Sequence, residues 1–264
     1  MTLSAQSQLL PSREELYDLF VRKYGKPEDT GWSPRRRFRS GYFLPSDVYE
    51  AVVNKLVTKG CSWLDVGGGR SPFPENYALA RSLAERVHIF VGVDPSAEID
   101  VNPFVHRGIR ARIEDFTTTD RFDIVTMRMV AEHVMDPRGF VAAIARLLHP
   151  KGKAVVLTVN WWSPITLISR ITPFALHHPI KRLLWGGREE DTFPVAYRMN
   201  TRRRLQHIFG AAGLIEKQFS YVDDCSAFGQ FYYLNGLELS MQRFMRQRGW
   251  RYPETCLLGI YEKA

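Results

Sequence analysis

The run Trp63-Leu64-Asp65-Val66-Gly67-Gly68-Gly69-Arg70 places an acid and three glycines at the end of an apolar stretch. Glycines there let the backbone turn sharply and approach a ligand where a Cβ would collide. A second acid, Asp94, ends the run Val91-Gly92-Val93 and is followed by Pro95. A carboxylate in that place can accept hydrogen bonds from the two hydroxyls of a ribose. Taken singly, the glycines also suit a plain tight turn, and the acid also suits a helix cap. On consecutive strands of one βαβ unit, the two together point to a nucleoside cofactor. A dinucleotide fingerprint, G-x-G-x-x-G, needs a third glycine so that helix and strand can pack closely, and Pro72 stands at that position.

The surrounding chain supplies the elements that such loops require. Apolar, β-branched runs predict strands at 62–66, 88–93, near 109–113, and at 122–127, 154–159, 214–222 and 256–261. Helical periodicity falls at 12–24, 47–58, 75–86, 137–148, 201–212 and 232–246. Ser12 and Glu15 form a capping box, Asn200 or Thr201 caps a later helix, and His149-Pro150-Lys151-Gly152 makes a turn. Strands that alternate with helices of this length need crossover connections. The expected fold is therefore α/β, a seven-stranded, mostly parallel sheet with helices on both faces and the last strand antiparallel. Residues 1–45 read as a lead-in and 46–264 as the main domain. Residues 161–199, aromatic, basic and rich in proline, are too long for an ordinary connection and read as an inserted substrate cap.

The 264 residues are 45% hydrophobic and 24% charged, which excludes disordered, collagenous and coiled-coil classes. Cys61, Cys225 and Cys256 are too scattered for a disulfide framework or a C-x-x-C metal pair. The adjacent His177 and His178 point apart and have no further ligands at metal spacing, so no metal is expected. Neither a secretory leader nor an uninterrupted spanning run is visible, and a cytoplasmic location is expected. The formal net charge of +8 suits an anionic small molecule or a phospholipid surface. Nucleic acid is not expected, because no recognised module accompanies the arginine runs.

Asp65-x-Gly67-x-Gly69 resembles motif I of the class I S-adenosylmethionine-dependent methyltransferases, and Asp94 resembles their ribose-binding acid. The likeness continues through Phe122-Asp123-Ile124-Val125, Glu132-His133-Val134 and Leu147-Leu148-His149-Pro150-Lys151-Gly152. It looks like the broad branch that contains quinone-biosynthesis enzymes and many that act on sugars and natural products. The resemblance implies a Rossmann-like fold and S-adenosylmethionine as cofactor, with S-adenosylhomocysteine as product. It also implies that Asp65, Gly67, Gly68 and Gly69 hold the methionine portion, and Asp94 with Pro95 the ribose. Arg112-Ile113-Glu114-Asp115-Phe116 would face the adenine. The family often has an acid where Arg112 stands, so Glu114, Asp115 or the backbone at Ile113 must take over its contact. Met127 and Arg128 are expected near the methionine end, and Tyr42 is expected to close over the cofactor.

Methyl transfer from a sulfonium is an in-line displacement, so the protein must chiefly align the acceptor and exclude water. A hydroxyl acceptor also has to lose a proton. His133 is the candidate base, with a structural role at the following helix as the alternative, and Glu132 could orient it. His177, His178, Asp191, Tyr197 and Arg198 of the cap are polar enough to touch substrate. An apolar cap beside Lys181-Arg182 suits an acceptor that is small, sugar-like or lipid-linked, with an anionic portion. Peripheral membrane contact is compatible with this. The expected activity is O-methyl transfer, with C- or N-methyl transfer to a quinone-like or natural-product acceptor as the alternative and a nicotinamide-dependent oxidoreductase behind both. The aromatic supply of the cap and of residues 231–244 is expected in the core before anywhere else.

Overall fold

The computed structural model describes residues 9–164, 166, 195–226, 228–250 and 252–264. Among these, three helices precede the sheet: α1 (Arg13–Tyr24), α2 (Trp32–Ser40) and α3 (Pro45–Leu56). There follow β1 (Ser62–Val66), α4 (Tyr77–Arg86), β2 (Ile89–Asp94), a 3₁₀ turn (Ala97–Val101), β3 (Arg107–Arg110), β4 (Phe122–Arg128), α5 (Pro137–Leu147) and β5 (Leu148–Val159). After the insertion come α6 (Arg202–Ala211), β6 (Leu214–Asp223), α7 (Tyr232–Gln247) and β7 (Glu254–Lys263).

The strands form one sheet in the order β3-β2-β1-β4-β5-β7-β6. Strands β1 to β5 pair in parallel, and β7 lies antiparallel between β5 and β6. The period of two along each strand sends alternate side chains into two cores. Leu64, Val66, Val91, Val125 and Met127 pack with Phe140, Ile144, Leu205 and Phe209 of α5 and α6. Trp63, Phe90, Ile124 and Val155 pack with Val52, Val53, Ala80 and Leu83 of α3 and α4. The chain leaves β1 toward β2 and later returns on its other side as β4. The connections that follow β1 and β4 go to opposite faces of the sheet, the topological position at which ligands bind in such folds.

Most helix ends follow the expected signals. The Ser12–Glu15 capping box closes reciprocally, with Ser12 N donating to Glu15 Oε2 at 2.6 Å and Glu15 N to Ser12 Oγ at 3.1 Å. Thr201 Oγ1 accepts from Arg204 N at 3.3 Å. The expected turn at 149–152 is an irregularity inside β5: Phe122 pairs with Leu148 and Ile124 with Lys153, and Lys151 takes a φ of 63°.

Three expectations need correction. Strand β3 begins two residues earlier than expected, because Val91 of β2 pairs with Arg107 and sets the register. The arginine-rich stretch of the lead-in holds a helix, α2, with Pro34 in its first turn, where a backbone N–H is not needed, and Gly41 at its end in the left-handed region with φ 61°. Most of the apolar residues of α7, expected in the core, are exposed, with Leu239 buried, because the face that packs inward is otherwise polar. The boundary at residue 45 is crossed by buried ion pairs. Lys23 Nζ lies 3.0 Å from Asp47 Oδ1 and 2.8 Å from Glu50 Oε1, and Arg37 Nη1 lies 3.2 Å from Asp47 Oδ2. Asn76 Nδ2, on the cap of α4, donates to Glu50 Oε2 at 2.8 Å. The lead-in is thereby tied to the body through α3 and α4.

Candidate active site

The glycine loop follows the tip of β1, and its conformation depends on glycine. Gly67 has φ 72° and Gly69 φ 47°, both in the left-handed region. A Cβ on Gly67 would lie 2.3 Å from Val130 Cγ2, and one on Gly68 would lie 1.9 Å from Asp65 Oδ2. The Asp65 side chain therefore lies under the loop. Its Oδ1 accepts from Thr126 Oγ1 at 2.6 Å, and Thr126 Oγ1 in turn accepts from Trp63 Nε1 at 2.7 Å. The indole proton fills a lone pair of the hydroxyl and directs the hydroxyl proton onto Asp65.

Burial pushes the Asp65 carboxyl up to about 7, opposed by the Thr126 hydrogen bond and the charge of Arg128. The buried phenol of Tyr49 is pushed well above its ordinary range by burial and by the Asp65 charge. The Asp65 shift has a consequence for stability. Between about pH 4 and pH 7 the folded chain keeps a proton on Asp65 that the unfolded chain has released, so this contribution falls as pH rises through that window. Asp65→Asn is expected to remove a decline on the order of a few kcal/mol across it, read as the difference between the two chains' denaturation midpoints at each pH.

Asp94 binds both strand tips. Its Oδ2 accepts from Gly69 N at 2.9 Å and its Oδ1 from Ser96 N at 2.7 Å. Asn102 Nδ2 donates to Gly69 O at 2.8 Å, so the peptide groups on both sides of Gly69 are held by the turn that follows β2. Gly67 N donates to Val93 O at 2.8 Å. A carboxylate offers about four lone-pair directions, and the two backbone amides leave two for a ligand. Both readings of this acid, cap and ligand acceptor, are thus compatible in one side chain. Pro95 beside it is exposed.

Ile113 and Phe116 are buried beyond the end of β3, while Arg112, Glu114 and Asp115 are exposed. Ala111 N donates to Asp94 O at 3.2 Å, which carries this segment to the tip of β2. At the end of β4, Met127 buries its side chain in the core, and Arg128 is half-buried, its charge acting on Asp65, Tyr49 and Glu132. Met129 takes φ 54°, a left-handed conformation that a non-glycine residue rarely adopts. It turns the chain into the loop that carries Glu132 and the half-buried His133.

Glu132 is buried, and burial raises its pKa. Its Oε2 accepts from Thr158 Oγ1 at 2.8 Å, and Thr158 Oγ1 accepts from Asn200 Nδ2 at 2.8 Å. The Glu132 carbonyl accepts from Ala196 N at 2.7 Å and Tyr197 N at 3.0 Å. The residue thus fixes the point where the chain returns from the insertion.

Tyr42 of the lead-in is buried. Its hydroxyl accepts from Cys225 N at 2.7 Å and donates to Asp223 O at 3.3 Å, at the end of β6, four strand positions from β1. The phenol clamps the lead-in to the far side of the sheet. The expectations on Phe174, His177, His178, Lys181, Arg182, Trp185, Asp191 and Phe193 lie outside the described residues. Arg198 donates through Nη1 to Met135 O beside the loop. Sequence reasoning missed Trp63, Thr126, Tyr49, Asn102 and Thr158, whose partners come from strands and turns distant in the chain. Among the described residues no group of three or more His, Cys, Asp or Glu could hold a metal ion, and no helix is long and apolar enough to cross a membrane.

Residues 33–215 match the family model described as a methyltransferase domain. A protein of Coxiella burnetii (strain Dugway 5J108-111) named ubiquinone biosynthesis O-methyltransferase is 27% identical over 161 residues, covering 58% of this chain and 66% of the relative. The chain thus spans just under two thirds of that relative's length. A protein of the same name from Bradyrhizobium sp. (strain ORS 278) is 28% identical over 180 residues, covering 61% of this chain and 68% of the relative. The solved structure of the YcgJ protein from Bacillus subtilis superposes with a TM-score of 0.50 at 17% identity, over 81% of this chain and 97% of that one, which supports the fold. With its glycine loop, paired strand tips and mixed seven-stranded sheet, the chain belongs to the methyltransferase-domain family.

Proposed function

We propose that this enzyme methylates a hydroxyl oxygen of a small-molecule acceptor, quinone-like or otherwise lipid-linked, and that the cradle between the tips of β1 and β2 holds the methyl donor. The observation that carries the reading is the Asp94 carboxylate, which joins the two tips and keeps acceptor capacity for a ribose. The donor, when bound, supplies a methyl group on a cationic sulfonium, already activated for in-line displacement. Asp94 accepts from the ribose hydroxyls, with Pro95 beside it. Asp65 and the backbone of Gly67, Gly68 and Gly69 hold the methionine end, where the Asp65 charge complements an ammonium. The backbone at Ile113, with Glu114 and Asp115, lies toward the adenine, and Met127 and Arg128 border the sulfur side.

Oxygen as the acceptor atom is supported by the names of the relatives in Coxiella and Bradyrhizobium. His133, on the loop beyond β4, removes the hydroxyl proton as the methyl arrives. The return of the insertion, pinned to Glu132, brings Tyr197 and Arg198 beside that loop.

A screen of hydroxylated quinones and phenols with isotopically labelled donor tests the reaction. Label is expected in a methoxy group, and label on carbon or nitrogen would overturn the oxygen assignment. His133→Ala is expected to lower kcat by ~10²-fold with the affinity for S-adenosylhomocysteine unchanged, and added imidazole should restore part of the rate. A variant with full kcat removes His133 from proton transfer.

A further inference from the structure

Helix α7 has its polarity reversed. Asn235, Glu238, Leu239 and Gln242 face inward, each no more than 4% exposed. Leu234, Leu237, Met241 and Phe244 face outward at 46%, 68%, 50% and 47%, and Tyr233 beside them is 87% exposed. The spacing of three, four and three residues puts the four on one stripe of the helix. The inner face is fastened by its own bonds. Gln242 Nε2 donates to Asp223 Oδ2 at 2.6 Å, Asn235 Nδ2 to Cys225 O at 3.4 Å, and Tyr252 Oη to Glu238 Oε1 at 3.3 Å. The helix cannot roll its apolar stripe inward without breaking these, so the exposure is a fixed property of the fold.

The borders of the stripe are aromatic and cationic. Exposed Trp250 lies edge-on to Phe244, and the Arg248 guanidinium sits 4.7 Å from the Phe244 ring. On the adjoining α2, the Arg36 guanidinium packs against the rings of Trp32 and Tyr232, 5.3 Å and 4.0 Å from their centres, and the two rings meet edge-on. Arg39, Arg243, Arg246 and Arg248 are exposed, and the one acid of α7, Glu238, is buried. A stripe of Leu, Met and Phe with tryptophan, tyrosine and arginine at its margins is the pattern of a helix that lies in a bilayer interface.

Charge selects among the surfaces that could cover the stripe. A second copy related by a two-fold axis would set this arginine rim against itself, and an uncharged apolar partner would leave the arginines unmatched. Anionic headgroups match both features. We propose that α7, with Trp250 and Trp32, docks on an anionic phospholipid surface, the stripe entering the headgroup boundary and the arginines meeting lipid phosphate. Strand β6 runs parallel to β5, so the chain enters the α7 region from the same edge of the sheet that carries the donor cradle. The inference does not rest on the choice of acceptor.

Co-sedimentation of the full chain with vesicles tests it. Vesicles of phosphatidylglycerol and phosphatidylcholine in equal parts are expected to bind the chain at least ~tenfold better than phosphatidylcholine alone, less so at high salt. The double variant Leu237→Asp with Met241→Asp, and separately Arg243→Glu with Arg248→Glu, should each lower binding by at least ~tenfold, with unchanged circular dichroism and melting temperature. Absence of wild-type binding to the anionic vesicles overturns the proposal, as does binding that both variants retain. A dimer in light scattering that the Leu237→Asp, Met241→Asp chain loses would assign the stripe to a second copy and also overturn it.

Discussion

Asp94→Ala is expected to lower the affinity for S-adenosylmethionine and S-adenosylhomocysteine alike by ~10²–10⁴-fold, since hydrogen bonds to a charged acceptor contribute roughly 1.5–3 kcal/mol each and a ribose makes two. The loss is equal for the two ligands because the ribose is common to them. The substitution also frees the amides of Gly69 and Ser96, which now donate to the carboxylate, so the β1 loop loses part of its tie to β2. Asp94→Asn keeps one acceptor oxygen and should fall between wild type and Asp94→Ala. Isothermal titration of the three chains with both ligands measures this, and equal affinities across them would remove Asp94 from the donor site.

The second large effect is on stability. Asp47 accepts from Lys23 Nζ and Tyr24 Oη on Oδ1, and from Arg37 Nη1 and Leu44 N on Oδ2, in a fully buried position. Burial works against the charge on Lys23, but the Asp47 and Glu50 carboxylates outweigh it and hold the ammonium above its ordinary pKa. Asp47→Ala leaves Lys23 with buried Glu50 and the exposed, more distant Glu75, and takes the carboxylate from Arg37. Breaking a buried pair in this way costs about 3–5 kcal/mol, even where a well-packed apolar replacement of the whole cluster would be neutral. The midpoint of denaturant unfolding should drop accordingly, and Asp47→Asn, which retains an acceptor oxygen but no charge, should lose less. An unchanged midpoint for Asp47→Ala would mean that the lead-in is held by packing alone.

The parts of the fold that were legible from residue order are those set by local physics. Strand β1 matches its apolar run to the residue, and the Ser12–Glu15 box and the Thr201 cap sit where their side chains call for them. The acids and glycines of the cradle were also legible, because a tight loop and a strand-tip carboxylate leave compositional marks. What was not legible depends on partners brought by the fold. The Trp63–Thr126–Asp65 relay joins β1 to β4, and neither strand records which residue of the other will stand opposite it. Helix α2 leaves little apolar periodicity to read, since its run is Trp-Ser-Pro-Arg-Arg-Arg-Phe-Arg-Ser, and one of its arginines, Arg37, is drawn inward by Asp47. The orientation of α7 was misread for the same reason: composition reports that a residue is apolar, and only the bonds to Asp223 and Cys225 decide which side of the helix meets the sheet.

The two anchors of the insertion have an engineering consequence. Trp161 N donates to Asn200 O where the chain departs from β5, and the Glu132 carbonyl holds Ala196 and Tyr197 where it comes back. The two ends of this stretch are therefore held by backbone hydrogen bonds to residues of the main domain. Variants lengthened or shortened between these two anchors are expected to incur a closure cost that grows only logarithmically with length, which their denaturation midpoints would measure.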